Sequence, residues 1–229
     1  GAMAAILLSL SIRHGVEGVF IAGFLSGLIL LIAAALKVGA LVSYIPSPVV
    51  TGFTSGIAVI IALGQIDNFF GTTSAGESAI EKLISYSELG FSVQLPTLFY
   101  GLLVILLMVL WPKKWNARFP ASLLGIIVTL VLQMVLDLPV GEVGAIPRSL
   151  LGENRLHFGS LSLATLLPYL SPAISIAALG MVESLLCGSS GGKMRGEKLN
   201  ATQELFAQGI GNVIIPFFGG IPATAAIAR

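Results

Sequence analysis

The chain has 229 residues, of which 55% are hydrophobic and 10% are charged, with 12 Lys and Arg against 11 Asp and Glu. Soluble domains carry about 25% charged residues, so this composition excludes a soluble enzyme. The even charge balance leaves no basic surface for nucleic acid, and the single cysteine excludes a disulfide framework and a cysteine-based zinc site. The remaining class is an integral membrane protein in a lipid bilayer, for which no cofactor and no metal is expected.

Long uncharged stretches separate the charged clusters. A helix rises about 1.5 Å per residue, so roughly 20 residues cross the hydrocarbon core. Backbone polar groups cannot stay unpaired in lipid, which favours helices. The pattern therefore predicts an all-α integral membrane fold with five spanning helices and a sixth, more polar helix. In chain order, these are expected near residues 18–37, 47–66, 95–112, 119–137, 171–188 and 202–216.

The apolar stretches at the two ends, 2–12 and 221–229, are too short to cross a bilayer. We therefore expect the chain to be a piece of a larger membrane domain.

The loops indicate an orientation. Lys and Arg exceed Asp and Glu in the segments 113–118 and 188–200, whereas 67–88 is acidic. The positive-inside rule places the first two segments in the cytoplasm and the loops 67–90 and 138–157 on the outer side. The expected location is the cell inner membrane, with several passes.

The stretch 216–224 has the pattern of a broken helix. Pro216 ends the preceding helix, Gly219-Gly220 permits a sharp turn, and Pro222 suits the first turn of a new helix. Thr224 and the free N–H groups of that turn would form a helix N-terminus that attracts anions. The alternative is a Gly/Pro hairpin between two ordinary membrane helices.

A second segment resembles this one. The pentapeptide Ala2–Ile6 (AMAAI) is similar to Ala223–Ile227 (ATAAI), and each opens an apolar segment after a glycine or proline. Paired, interrupted hydrophobic segments in two halves indicate the central site of a transporter, where two half-helix N-termini meet.

Glu183 lies inside an apolar helix pattern, where a carboxylate is costly unless it faces protein, water or a partner charge. The functional interpretation is a carboxylate of a coupling-ion or substrate site, and the alternative is a structural residue near the interface. Arg229 lies two turns after Pro222 on the same face. It could supply positive charge to the site, pair with Glu183, or approach the interface.

Several other features favour structural roles. The GxxxG spacings at Gly23/Gly27 and Gly52/Gly56 predict close helix packing rather than ligation. Gln208 and Asn212 share a helix face and are expected to join helices rather than to bind substrate. The histidines, His14 and His157, are placed in short loops without metal-ligand spacing.

Four motifs together resemble the SulP family of sulfate-permease-like anion transporters, and the likeness is collinear over nearly the whole chain. Tyr44–Gly56 (YIPSPVVTGFTSG) resembles its fifth helix, and Met181–Cys187 (MVESLLC) its eighth. Asn200–Leu205 (NATQEL), with Gln208 and Asn212, resembles its ninth helix, and Phe217–Arg229 its tenth.

The resemblance implies a fold of two inverted seven-segment repeats with core and gate subdomains. On that map, this chain runs from the third segment into the tenth. The expected divisions are core at 1–46 (end of segment 3 and segment 4), gate at 47–137 (segments 5 to 7), an outward-facing connection at 138–170, and core at 171–229 (segments 8 to 10). Further helices and a cytoplasmic STAS domain are expected in the whole protein, which we expect to be a homodimer.

The resemblance also implies an anion site between the opposed ends of segments 3 and 10, beside segment 8. Carried onto this chain, the site residues are Ala2, Met3, Glu183, Ala223, Thr224, Ala225 and Arg229. Ala2 stands where a proline is usual, and Gly192 stands where many bacterial relatives have an acid.

The function expected from these observations is secondary active transport of a small anion, coupled to H⁺ or Na⁺. Sulfate, bicarbonate and a C4-dicarboxylate are compatible substrates. Glu183 would bind the coupling ion, and the core would move against the gate to give alternating access. The alternatives are a nucleobase permease of the same fold and an uncoupled anion channel; an enzyme is not expected, since no nucleophile–base pair appears.

Overall fold

The computed structural model describes residues 2–40, 47–76, 78–116, 118–141, 144 and 154–225, and every regular element in these residues is helical. The α-helices are α1 (Ala2–Ala35), α2 (Ser47–Gly64), α3 (Ile66–Phe70), α4 (Ala79–Leu89), α5 (Leu95–Leu110), α6 (Lys113–Asn116), α7 (Ala121–Leu136), α8 (Leu163–Leu166), α9 (Leu170–Arg195) and α10 (Ala201–Ile214). Short 3₁₀ turns occupy Phe158–Ser160, Leu167–Tyr169 and Ile215–Phe218.

Each of the six predicted helices overlaps a helix of the structure. By length and composition, Ile6–Ala35 and Ala164–Gly192 are long and apolar enough to cross a membrane, and Pro48–Gly64, Leu95–Leu110 and Ala121–Leu136 are shorter apolar helices. Pro112 lies just beyond α5, which a proline cannot continue without losing a backbone hydrogen bond, and Pro120 immediately precedes α7, where its missing N–H costs no intrahelical bond.

The chain divides into two compact units. Unit 1 comprises Gly1–Val59 with Ile146–Arg229, and unit 2 comprises Ile60–Ala145. The boundaries differ from the predicted ones, since the first falls inside α2 rather than before it. The assignment of core and gate to these parts of the chain stays a prediction.

Helix α1 is broken near its first third. Gly15 has φ 69° and ψ −177°, a conformation that glycine adopts without a Cβ clash. The stretch before the break is helical, and the predicted first span begins just after it. His14 therefore lies in α1 and not in a loop, and its ring meets Tyr169 edge-on with 5.3 Å between centroids.

Helix α9 is longer than predicted and includes the glycines that the sequence placed in the loop 188–200. A Cβ on Gly188 would lie 2.6 Å from Leu199 Cδ1, and one on Gly192 would lie 2.7 Å from the carbonyl oxygen of Glu197. The Glu197 N–H donates to the Gly192 carbonyl over 2.9 Å. Because these glycines have no side chain, the segment that follows α9 can fold back against the helix.

In unit 1, α1 packs along α9 and α10. The contact with α10 is backbone to backbone, since a Cβ on Gly27 would lie 2.6 Å from Val213 N and 2.8 Å from the Gly209 carbonyl oxygen. This confirms the packing predicted for the first GxxxG spacing. The second behaves differently: no atom of the described chain lies within 4 Å of a Cβ built at Gly52 or Gly56.

In unit 2, α5 packs on α3 and α7. The acidic segment 67–88 is organised around Asp67, which accepts hydrogen bonds from Ser74 and, over 2.8 Å, from the Tyr86 hydroxyl. Lys82 Nζ lies 3.9 Å from the same carboxylate. These contacts tie α4 to the end of α3.

We predict that Gly27→Ala lowers the thermal stability of the solubilised protein, because the added methyl group must separate α1 from α10, at a cost of about 1–3 kcal/mol. Gly211→Ala is the matched control. It lies on α10 with no atom within 4 Å of its Cβ position, and alanine gains up to about 1 kcal/mol over glycine in a helix. Equal melting temperatures for the two variants would contradict the close contact.

We further predict that Tyr86 of α4 loses its proton at a higher pH than an ordinary tyrosine. Partial burial, and next the hydrogen bond to Asp67, raise the pKa of Tyr86 above its ordinary value of 10.0. The stabilising contact is thus fully present below pH 10.0 and is lost as the pH rises through the raised pKa. Phenolate absorbance should show one tyrosine titrating above the ordinary range, absent in Tyr86→Phe and shifted down in Asp67→Asn. Unchanged titration in Asp67→Asn would refute the contact.

Candidate functional site

The chain turns sharply after α10 and then runs without regular structure along unit 1 over residues 221–225, the extended segment, of which Pro222 is buried, Thr224 and Ala225 are half-buried, and Ile221 and Ala223 are exposed. Pro216 is buried, and Gly219 has φ 79°, which lets its N–H cap the 3₁₀ turn. Pro222 is also buried and lies against α1, where a Cβ on Gly23 would come within 3.0 Å of Pro222 Cδ. Pro216, Gly219 and the contact of Pro222 with Gly23 thus fix the position of residues 223–225.

Two side-chain amides of α10 hold this extended segment by its backbone. The Ala223 N–H donates to Asn212 Oδ1, and Gln208 Nε2 donates to the Ala223 carbonyl, each over 3.0 Å. The helix predicted to begin at Pro222 is therefore absent from the described residues 221–225. Gln208 and Asn212 pair with the extended backbone, in addition to lying between helices as predicted.

Helix α9 holds the same segment from the other side. Ser184 is fully buried, accepts from the Ala225 N–H over 3.4 Å and hydrogen-bonds Gln208. The hydroxyl oxygens of Ser184 and Thr224 lie 3.1 Å apart, and the Thr224 hydroxyl donates to the Gly180 carbonyl over 3.3 Å. The segment is thereby bonded to both α9 and α10.

Glu183 lies next to Ser184 on α9 and is 8% exposed. Its neighbour Ser184, and Gly180 about one turn before it, both hydrogen-bond the Thr224 side chain. A buried carboxylate in an apolar helix is thus placed beside the extended segment.

The first turn of α1 reaches the same region. Helix α1 begins at Ala2, and Met3 is buried with 4% of its surface exposed. A Cβ on Gly180 would lie 3.5 Å from Met3 Cε and 3.2 Å from Gln208 Nε2. Gly180 is therefore the point of α9 where α1, α10 and the extended segment meet.

The structure thus brings together Met3, Glu183, Ala223, Thr224 and Ala225. For Ala2 it gives only the backbone position at the start of α1, and Arg229 lies outside the described residues. Sequence reasoning did not nominate Ser184, Gln208 and Asn212. The signal for the last two was their shared helix face just before the broken segment.

The site contains both donors and acceptors. Donors are the backbone N–H of Ala225 and the side-chain amide of Gln208. On the other side lie oxygen atoms: the Glu183 carboxylate, the Thr224 hydroxyl and the Gly180 carbonyl. Such an arrangement can bind an anion and a small cation near each other.

Comparison with known proteins agrees with this architecture. The sulfate permease family matches residues 2–229. YvdB of Bacillus subtilis (strain 168), to which sulfate transport is provisionally assigned, is 35% identical over 240 residues, which cover 100% of this chain and 44% of YvdB. The bicarbonate transporter BicA of Synechocystis sp. (strain ATCC 27184) is 26% identical over 227 residues, which cover 98% of this chain and 40% of BicA.

A solved structure shares the fold. The transmembrane domain of a cyanobacterium bicarbonate transporter BicA superposes with a TM-score of 0.85 at 25% identity, covering 99% of this chain and 58% of that domain. The chain therefore spans less than half of the two curated relatives and over half of the solved domain. The predicted all-α membrane transporter fold is confirmed, and so is the multi-pass membrane location. The chain belongs to the sulfate permease family of transporters.

Proposed function

We propose that this chain forms the ion-binding part of a secondary active transporter that moves a small anion together with H⁺ or Na⁺. One observation carries the proposal: the start of α1, the buried Glu183 of α9 and the extended segment 223–225 converge around Gly180. Each of the three elements contributes a different polar group, and the groups lie inside an otherwise apolar unit. The proposed role is transport and not enzymatic catalysis.

The anion is proposed to bind at the first turn of α1, opposite residues 223–225. Met3 places residues at the beginning of α1 beside Gly180, and the family resemblance implies a helix start there, whose N–H groups would attract an anion. Arg229 is proposed to add positive charge there, and Ala2 to let the anion approach the backbone closely. The names of YvdB and BicA support sulfate and bicarbonate as substrates to test first, and a C4-dicarboxylate is the third.

The coupling ion is proposed to bind at Glu183. Its carboxylate, the Thr224 hydroxyl and the Gly180 carbonyl are all oxygen ligands, the type that H⁺ and hard cations prefer. A cation there would offset the cost of the buried carboxylate. It would also favour the anion, since opposite charges attract strongly where little water is present.

The transport cycle is proposed to be alternating access, in which the core moves against the gate. Because the chain covers 44% of YvdB, transport is a property proposed for the complete gene product, working as a homodimer in the cell inner membrane. Every hydrogen bond of the site described above lies within unit 1, so the site would travel with the core.

Uptake into proteoliposomes that contain the complete protein tests the function. We expect uptake of labelled sulfate, bicarbonate or a C4-dicarboxylate that follows an imposed pH or Na⁺ gradient. In Glu183→Gln, which keeps the shape of the side chain and removes its charge, uptake should no longer follow the gradient. Glu88→Gln, an exposed carboxylate of the outer loop, should behave as wild type.

Three other results would count against this proposal. Uracil uptake without anion uptake would indicate a nucleobase permease of the same fold. Currents far above transporter turnover would indicate an uncoupled channel. Gradient-driven anion uptake that is unchanged in Glu183→Gln would remove this residue from its proposed role.

Thr224 provides a second test. Thr224→Val keeps the shape but loses the hydrogen bond to the Gly180 carbonyl, so we expect the KM for the anion to rise about tenfold, equivalent to the roughly 1.4 kcal/mol of one hydrogen bond. Thr224→Ser restores the hydroxyl and should restore the KM. If Thr224→Ser is as impaired as Thr224→Val, the methyl group matters and the hydroxyl does not.

A further inference from the structure

A polar stripe runs along one face of α10 toward the site. Glu204, Gln208 and Asn212 follow each other at intervals of four residues, so their side chains lie on the same face. Glu204 is in the first turn of α10 and half-buried, whereas Asn212 is 3% exposed. The stripe therefore leads from the end of the helix into the interior of unit 1.

This stripe lines a cleft of about 240 Å³. Its other walls are Ser184 of α9 and the extended segment, including Thr224. Thr224 hydrogen-bonds the Gly180 carbonyl, and Ser184 is the residue after Glu183 on α9. The cleft thus leads from the first turn of α10 to residues that adjoin the proposed coupling-ion site.

Asn212 has a buried donor without a partner beside the inner end of the cleft. Its Oδ1 must face the Ala223 N–H, which can only donate. Its Nδ2 therefore points away from that backbone, and it is buried without a hydrogen-bond partner among the described residues. Leaving a buried amide donor unpaired costs about 1–3 kcal/mol, so a rearrangement that lets this amide reach the cleft would be favourable.

Water is the acceptor that fits the cleft. A liquid water molecule takes about 30 Å³, so a cleft of about 240 Å³ has room for several. The walls offer hydroxyls, an amide and the Glu204 carboxylate as further partners. An anion fits poorly, because Glu204 would repel it.

The charges around the cleft favour cations. Glu204 lies on its wall, and Glu183 and Glu204 both interact electrostatically with Cys187 of α9. Two carboxylates therefore act on one region of the described chain. Cations from the bulk solution would be concentrated along such a cleft.

We propose that the cleft between α9 and α10 is the hydrated inlet through which the coupling cation, H⁺ or Na⁺, reaches Glu183, with Glu204 at its outer end. This rests on the proposed function. The outer end adjoins the Lys- and Arg-rich segment that the positive-inside rule assigns to the cytoplasm, so the inlet opens on the cytoplasmic side.

Thiol accessibility tests the inlet without any transport assay. In the complete protein carrying Cys187→Ala and no other reactive thiol, Gly211→Cys places a thiol on the cleft wall, where a Cβ meets no atom within 4 Å. We expect a cationic methanethiosulfonate reagent to react at least about threefold faster than an anionic one, because of the local negative charge. Adding Glu204→Gln should remove that preference.

Ile210→Cys is the matched control on the opposite face of α10, where the side chain is 39% exposed. We expect it to react with neither reagent, since an apolar face of a membrane helix lies against lipid or other helices. An unreactive Gly211→Cys would overturn the hydrated inlet. Equal rates for the two reagents, unaffected by Glu204→Gln, would overturn its preference for cations.

A transport assay then tests whether the coupling ion uses the cleft. In Glu204→Gln, the Na⁺ or H⁺ concentration for half-maximal uptake should rise at least about threefold, as expected for loss of one nearby charge, while the anion KM at saturating cation stays unchanged. Separate Na⁺ and pH series identify the ion. Glu197→Gln, whose carboxylate lies 3.4 Å from Arg195 in an exposed ion pair, is the charge control.

The two arms separate the possible failures. Selective modification of Gly211→Cys in a protein whose uptake follows no cation gradient would refute the coupled function and the role of the cleft in it, while the hydration would stand. Coupled uptake with an inaccessible cleft would refute the inlet alone.

Discussion

The need to pair the backbone of residues 223–225 controls the organisation of unit 1. An extended segment inside a membrane protein has N–H and carbonyl groups that neither lipid nor a helix of its own can satisfy. Here, the amides of Gln208 and Asn212 and the hydroxyl of Ser184 supply those partners. Because the partners come from α9 and α10, the two helices must lie side by side, and the segment must run between them.

The close approach of α1 follows from the same requirement. Pro222 needs a shallow surface, which Gly23 provides, and the backbone contact at Gly27 keeps α1 near α10. Larger residues at these positions would move α1 away, and with it Met3 in the first turn. The glycines of α1 therefore affect the site indirectly, because they set the position of α1 and so of Met3.

The sequence predicted the helices well and the irregular parts less well. Uncharged stretches longer than 15 residues leave few choices but a helix, and Pro216 marked where α10 ends. Gly188 and Gly192 were misplaced in a loop because a glycine-rich run usually breaks a helix, whereas here each accommodates the returning chain. The helix start expected at Pro222 is wrong for a similar reason. Side chains distant in sequence pair with the backbone of the next residue, and the local sequence pattern does not reveal them. Met3 and Thr224 were nominated through the family resemblance, while Ser184 had no signal beyond its place beside Glu183.

In residues 223–225, the path of the backbone is held independently of the side chains. The path of the backbone is set by Gln208, Asn212 and Ser184, which bond to it from behind. The side chains of Ala223 and Ala225 take no part in that support. The size of these two side chains could therefore be changed without removing the hydrogen bonds that fix the backbone behind them.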